Sequence, residues 1–236
     1  GTQKLRQKRP DCKGILLIFD NLDRCPPHVA NRLFFDYAAQ LQELRCTIVY
    51  TVPISASYSP RSIVNHFNQP AIVPMVNIYE FEQESNPLQW NDQGLQALVG
   101  LLAQRLDTKK VFESKAELLE LIRASGGHVR HLMQMMREAC ITAIGRGHKA
   151  IKAEDAAYAI KQLQFSFERE IPDAHYSAIA HTYGSKRAVN DEIGQQTLFN
   201  TSVLEYNGKQ RWNYPHPTVM QIDAFKRAVD ELDGQS

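Results

Sequence analysis

The sequence lacks long apolar runs, paired cysteines and an excess of charge of one sign. No apolar run approaches the roughly 20 residues that a membrane span needs, so we expect no transmembrane segment. The four cysteines lie far apart and form no Cys-x-x-Cys pair, which argues against a zinc site or a disulfide framework and favours a reducing, cytoplasmic compartment. The net charge of +1 leaves the whole molecule without a field that would draw it onto nucleic acid or an anionic membrane.

Only the first segment departs from this balance of charge. Residues 1–13 carry several lysines and arginines but a single acid, Asp11, and no aromatic residue. We interpret them as a solvated basic leader, because a nucleic-acid arm is usually longer and interleaved with aromatic side chains. The chain begins with Gly and has no apolar signal-peptide core, so we expect it to lie within a longer protein.

The 236 residues are enough for two or three compact units, and the first of them reads as α/β. Gly14 to Phe19 is a short run that is apolar on both faces, as in a central parallel strand. A helical pattern from His28 to Leu44 follows, then a β-branched strand from Cys46 to Val52 and a third strand from Ala71 to Tyr79. This order predicts part of a parallel α/β sheet over residues 14–90.

The rest of the sequence is dominated by helical periodicity. Amphipathic helices are predicted at Gln93 to Leu106, Ser114 to Ala124, Val129 to Ile144 and Ala153 to Arg169, which together indicate a small helical domain over residues 91–170. Residues 171–236 contain two short helices, a hairpin around Asn207-Gly208 and a last helix. Helix, helix, hairpin, helix is the order expected of a winged helix.

The most informative segment is Ile15-Leu16-Leu17-Ile18-Phe19-Asp20-Asn21-Leu22-Asp23-Arg24. A parallel strand that ends in Asp delivers a carboxylate to the carboxyl edge of the sheet, where open α/β folds bind ligands. Magnesium bound to a nucleotide usually reaches the protein through one or two such carboxylates and water. The alternative is an Asp that only caps the following turn.

This string resembles the Walker B motif of P-loop ATPases, and its Asp-x-Leu-Asp-Arg form resembles the KAP and STAND branches of the AAA+/STAND class. The resemblance implies that Asp20 holds Mg²⁺ through water and that Asp23 polarises the attacking water or orients the residue that does. Many AAA+ members carry Glu directly after the first Asp, whereas this chain has Asn21. Because an amide cannot accept a proton, we expect slow hydrolysis.

Two further residues follow from the same resemblance. Thr51, at the end of the next strand, corresponds to the sensor 1 position that reports on the γ-phosphate; its alternative role is simple strand filling. The stretch Ser125-Gly126-Gly127-His128-Val129-Arg130-His131-Leu132 resembles the sensor 2 motif of the lid, which implies that Arg130 reaches a phosphate. A solvated Arg at a helix start is the alternative, although it does not account for the paired glycines.

The hairpin region resembles the winged-helix domain of STAND ATPases. In those proteins a Met-His-Asp motif at the entry of the final helix contacts the ADP phosphate, and His216 keeps the histidine while Pro215 and Pro217 replace its neighbours. The alternative is a structural His in a rigid, aromatic-rich corner. Lys209 and Arg211 on the hairpin also suggest a wing that binds DNA.

One element of a P-loop ATPase is missing from the sequence. No Gly-x-x-x-x-Gly-Lys-Ser/Thr loop occurs in residues 1–236, and we expect it upstream, in other domains of the same longer protein. The expected function is an ATP- or ADP-binding regulatory ATPase module that acts as a nucleotide-gated switch with Mg²⁺. The sequence leaves its oligomeric state open, with a homo-oligomer as one candidate. The alternatives are a DNA-binding winged-helix module with an ATPase regulator, and a degenerate scaffold that does not hydrolyse ATP.

We predict that this chain alone binds ATP weakly or not at all and hydrolyses it at no measurable rate, because nothing in it cradles the β- and γ-phosphates. Titration with labelled ATP and Mg²⁺ measures this directly. A micromolar dissociation constant would contradict the prediction.

Overall fold

The first structural element is a pair of short parallel strands. The computed structural model describes residue 7 and residues 14–44, 46–208 and 210–234, so the predicted leader at residues 1–13 lies almost entirely outside the described residues. Strand β1 (Leu16–Phe19) pairs in parallel with β2 (Thr47–Tyr50), with Leu16 opposite Thr47 and Phe19 opposite Tyr50. Both strands were predicted, and the structure confirms them.

One face of this strand pair is covered and the other is open. The connection between the strands is an interrupted helix made of α1 (Pro27–Asn31), a π turn and α2 (Ala38–Gln42). Its buried Phe34 meets the ring of Tyr50 edge to face at 6.2 Å. On the opposite face Leu16 and Ile18 are 56% and 64% exposed, so β1 is not the doubly covered central strand that its apolar sequence predicts.

The predicted third strand at Ala71 to Tyr79 is wrong. Within that range the structure has an extended segment with only an isolated bridge between Tyr79 and Trp90. Pro74 interrupts the run and has no N–H to donate to a ladder. The N–H groups that follow it bond singly, Met75 to the carbonyl of Glu205 and Val76 to the carbonyl of Gly127.

The helices predicted between residues 91 and 199 are confirmed, with small shifts at their ends, and the structure adds one short helix, α4 (Thr108–Val111), that was not predicted. The confirmed helices are α3 (Asp92–Ala103), α5 (Lys115–Ala124), α6 (Val129–Gly145), α7 (Ala153–Glu170), α8 (Tyr176–Ser185) and α9 (Glu192–Phe199). The antiparallel hairpin of β3 (Val203–Asn207) and β4 (Arg211–Pro215) follows, and α10 (Asp223–Asp233) ends the described chain. Among the described residues, no helix is long and apolar enough to span a membrane.

The described residues divide into two units, and the architecture of the whole is mixed α/β. One unit lies within residues 1–72 and includes 190–199, so α9 belongs with the strand pair; the other comprises residues 73–189 and 200–234. The core of the second unit is aromatic: Tyr206 stacks on Trp212 at 4.5 Å, and Tyr79 stacks on Trp90 at 4.9 Å. The hairpin is therefore a core element of this unit.

The short loop that joins α6 to α7 is held by one buried carboxylate. Asp155 is wholly buried, and its two oxygens accept hydrogen bonds from Arg146 at 2.9 Å, from the Nδ1 of His148 at 2.8 Å and from the N–H of Lys152 at 3.0 Å. Burial by itself raises the pKa of Asp155, but the bonds from His148, Lys152 and Arg146 together hold the pKa below its ordinary value. The ionised carboxylate thus sets the geometry between the two helices.

Replacing Asp155 with Asn should destabilise the protein by roughly 2–4 kcal/mol at pH 7, because Arg146 loses its counter-charge and the new amide cannot accept all three hydrogen bonds that the buried carboxylate accepts. The folded-state pKa is depressed, so this stabilisation is present above the unfolded-state pKa and is lost as pH falls through the lower, folded-state pKa. Urea denaturation of both proteins between pH 7 and pH 2.5 measures it. The control is Glu154→Gln, since the Glu154 side chain is 61% exposed and should matter little; equal midpoints for the wild type and Asp155→Asn at pH 7 would refute the assignment.

Candidate functional site

The carboxyl ends of β1 and β2 form the first candidate site. Because the strands are parallel and in register, Asp20 and Thr51 leave the sheet at the same edge, and the N–H of Thr51 donates to the carbonyl of Phe19 at 3.1 Å. The Asp20 side chain is exposed, as a magnesium ligand at a sheet edge must be. The juxtaposition of these two residues at one edge is the geometry that the sequence predicts.

The turn after Asp20 is tied to the end of β2. The N–H of Asn21 donates to Asp20 Oδ1 at 2.8 Å, and a single 3₁₀ turn at Leu22–Arg24 follows, which carries the half-buried Asp23. Thr51 Oγ1 accepts the N–H of Leu22 at 3.0 Å and donates to the carbonyl of Phe19 at 3.4 Å. The Thr51 hydroxyl therefore holds the acidic turn in place, while a role for it as a γ-phosphate sensor stays a prediction.

Asn21 has a conformational reason for standing where many AAA+ proteins carry Glu. Its backbone is left-handed, with φ 64° and ψ 7°. Asn adopts this region more readily than other non-glycine residues, because its short polar side chain can bond locally, whereas longer side chains pay roughly 1–2 kcal/mol there. The shape of the turn thus favours Asn over Glu at this position.

The acidic edge provides few ligands for a metal. Among the described residues there is no group of three His, Cys, Asp or Glu side chains that could hold an ion. One exposed carboxylate at Asp20 fits a hard cation that takes its other ligands from water and phosphate oxygens. The residues present therefore fit nucleotide-bound Mg²⁺ better than a site built entirely from protein ligands.

The second unit carries the predicted Arg130 and His216, and the turn before α6 organises both. Gly126 and Gly127 have φ of +63° and +80°. A Cβ on Gly127 would lie 1.9 Å from the carbonyl oxygen of Val76, and a Cβ on Gly126 would lie 2.5 Å from Leu204 Cδ1. The paired glycines are therefore explained by close backbone packing, so they are not by themselves a sign of a nucleotide site.

Arg130 stands on the first turn of α6, and its side chain is exposed. His128 caps the same helix: its Nδ1 accepts the N–H of His131 at 3.1 Å. In the part of the chain that the structure describes, Arg130 makes no ion pair. Its guanidinium is thus placed to receive an anion, and the phosphate contact stays a prediction.

His216 lies at the centre of a cluster of imidazoles. It is wholly buried, its Nδ1 accepts the N–H of Thr218 at 3.2 Å, and its Nε2 lies 3.0 Å from the Nδ1 of His131. The rings of His128 and His131 are 4.0 Å apart, and Phe167 packs against His216 at 4.9 Å. Both ring nitrogens of His216 therefore have partners inside the protein, and its direct contact with ADP stays a prediction that this arrangement does not favour.

The three imidazoles are neutral at physiological pH. Burial, reinforced by Arg130, lowers the pKa of His128 to about 4, and burial together with His128 and Arg130 lowers the pKa of His131 to about 3. Burial, with smaller effects from His131 and His128, takes the pKa of His216 well below its ordinary value. Sequence reasoning missed His131, although its spacing of three residues from His128 on a helix start could have indicated contact.

The hairpin does not project as a wing. Most residues of β3 and β4 are buried against the aromatic core, although Arg211 is exposed. Lys209 lies outside the described residues. DNA binding through the hairpin therefore stays a prediction without support from the packing of its strands.

The candidate residues fall into two groups, Asp20, Asp23 and Thr51 in one unit and Arg130 and His216 in the other. Comparisons with protein-family models, curated proteins and solved structures found no match. The resemblance to AAA+/STAND ATPases therefore rests on the motifs in the sequence.

Replacing Gly127 with Ala should lower the free energy of unfolding of the second unit by roughly 2–4 kcal/mol, since the methyl group meets the Val76 carbonyl and the left-handed backbone is strained. Gly145→Ala is the matched control, because a Cβ there meets open space at the end of α6 and Ala favours helix. Urea denaturation followed by Trp90 and Trp212 fluorescence measures both. Gly127→Ala as stable as Gly145→Ala would show that the close approach is wrong.

Proposed function

We propose that this chain is part of an ATP- or ADP-binding regulatory ATPase that acts as a nucleotide-gated switch, with its magnesium position at the carboxyl edge of β1 and β2. The observation that carries the proposal is the parallel register, which brings the exposed Asp20 and the half-buried Thr51 to one sheet edge. Ligands of open α/β sheets bind at that edge.

Asp20 is the residue proposed to hold the cation. Its Oδ1 accepts the N–H of Asn21, which orients the carboxylate, and its exposed side chain is open to a hydrated ion. Mg²⁺ would supply electrostatic stabilisation of the phosphate oxygens, and a hard cation needs only one or two protein carboxylates to be positioned. Asp23, one turn further along, is the carboxylate proposed to orient water.

Asn21 supports a switch rather than a fast hydrolase. Its amide cannot take a proton from water, and the left-handed backbone at this position disfavours a longer acidic side chain. Slow hydrolysis suits a protein whose bound nucleotide determines which of two states is populated. Asp23 is then the remaining nearby group that could accept a proton.

The proposed site needs phosphate-binding groups that these 236 residues do not contain. Another part of a longer protein is proposed to provide the glycine-rich loop. Arg130, exposed and without an ion-pair partner among the described residues, is proposed to contact a phosphate anion.

Mn²⁺ substitutes for Mg²⁺ and broadens nearby NMR signals, so it tests the position of the cation. We expect Mn²⁺ to broaden first the backbone amide signals of residues 19–23 and Thr51, because the exposed Asp20 carboxylate is the proposed ligand. Asp20→Asn should abolish the effect by removing the charged ligand.

Asp36→Asn is the matched control, since Asp36 is an exposed aspartate of the same unit that pairs with Arg61 at 2.6 Å. It should leave the broadening unchanged. Broadening that persists in Asp20→Asn, or that is equal at Asp36 and Asp20, would reject the magnesium position.

A further inference from the structure

The buried His216 is too enclosed to meet a ligand directly. It has no exposed surface, Thr218 donates to its Nδ1, and its Nε2 faces the Nδ1 of His131 at 3.0 Å. Any influence of His216 on a bound phosphate must therefore pass through the residue that it contacts.

The hydrogen bond from Thr218 assigns the position of the His216 proton. Because the Nδ1 of His216 accepts this backbone N–H, the neutral ring carries its proton on Nε2, which lies 3.0 Å from the Nδ1 of His131, while the Ser125 carbonyl is a second acceptor near the ring. His131 is then an acceptor at Nδ1 and carries its own proton on Nε2. One buried imidazole thus selects the tautomer of a half-buried neighbour.

The ring of His131 is held on several sides. Phe167 meets it edge to face at 5.6 Å, His128 lies 4.0 Å from it, and His216 fixes its Nδ1. Its Nε2–H is not matched to any acceptor among the described residues, and the ring is partly exposed beside Arg130 on the first turn of α6. Arg130 directly precedes His131 at the start of α6, and its charge contributes to the lowered pKa values of His128 and His131.

We infer that His131 is the second side chain that contacts a phosphate anion in the proposed switch, and that His216 is a positioning residue that acts through His131. Arg130 supplies the charge, and the Nε2–H of His131 supplies a directed, neutral donor whose tautomer is set from inside the protein. This inference rests on the proposed nucleotide function. It differs from the expectation drawn from the sequence, in which His216 itself touches the ADP phosphate.

The arrangement also connects the ligand side of α6 to the turn before α10. Movement of His131 toward an anion changes its bond to His216, and His216 holds Thr218, whose hydroxyl donates to the carbonyl of Ala124 at 3.0 Å. Anion binding is thereby coupled to the turn that follows the hairpin and precedes α10.

Two variants of His216 separate positioning from simple packing. His216→Gln places an amide N–H where Nε2 was and keeps a donor toward His131, whereas His216→Asn is too short to reach His131 but keeps an acceptor for Thr218. Long-range ¹H–¹⁵N spectra of the whole chain report the tautomer of His131. We expect the Nε2–H form in the wild type and His216→Gln, and a mixture of tautomers in His216→Asn.

Pyrophosphate is the probe for the anion. We expect it to shift the His131 Nε2 and Arg130 side-chain signals and not those of the exposed His181, and we expect His216→Asn to weaken its binding roughly tenfold while His216→Gln restores it. A purely structural role would make the two variants alike in pyrophosphate binding.

Two results would overturn the inference: a His131 signal unaffected by pyrophosphate, or equal affinities in the wild type and His216→Asn. The Mn²⁺ experiment reads residues of the other unit, so the two failures are distinguishable. If Mn²⁺ reports a site at Asp20 while His131 does not respond to pyrophosphate, only the relay is rejected. If His131 responds but Asp20 binds no cation, the second unit binds phosphate without the proposed magnesium edge.

Discussion

The close approach of two backbones at Gly127 is the constraint on which the second unit depends. The Val76 carbonyl lies where a side chain on Gly127 would be, and the carbonyl of Gly127 in turn accepts the N–H of Val76 at 3.2 Å. Beside it, Tyr206 donates to the carbonyl of Gly126 at 2.5 Å. An extended segment, the hairpin and the start of α6 therefore meet at one turn, and a side chain there would separate them.

That turn determines the setting of the imidazoles. Because it ends at His128, the helix begins with an imidazole cap, and His131 falls against His216. The cluster is neutral because burial removes the water that would stabilise the charged rings. A neutral imidazole donates with one nitrogen and accepts with the other, so each ring fixes the tautomer of the ring that it contacts without changing its charge. The exposed charge in this neighbourhood belongs to Arg130.

The acidic edge of the first unit, in contrast, could be predicted from local sequence. A short apolar run followed by Asp predicts a strand that ends in a carboxylate, and the parallel register places Thr51 beside it. The helical periodicity after residue 91 was equally informative, since amphipathic stripes reflect burial of one helix face. The prediction of a third strand was wrong because it gave more weight to the apolar residues than to Pro74, which has no N–H to donate to a ladder.

The sequence by itself determined the elements whose signals are local: the two strands, the helices, the Asn-Gly hairpin and the carboxylate at Asp20. Only the tertiary structure decided the meaning of Gly126, Gly127, His131 and His216, because each depends on atoms far away in the chain. Gly126 and Gly127 lie against Val76, Leu204 and Pro217, and His131 contacts His216, 85 positions later in the chain. Such contacts leave no periodicity in the sequence. Only the packing therefore shows that His216, which the sequence suggests as a phosphate ligand, is buried against His131.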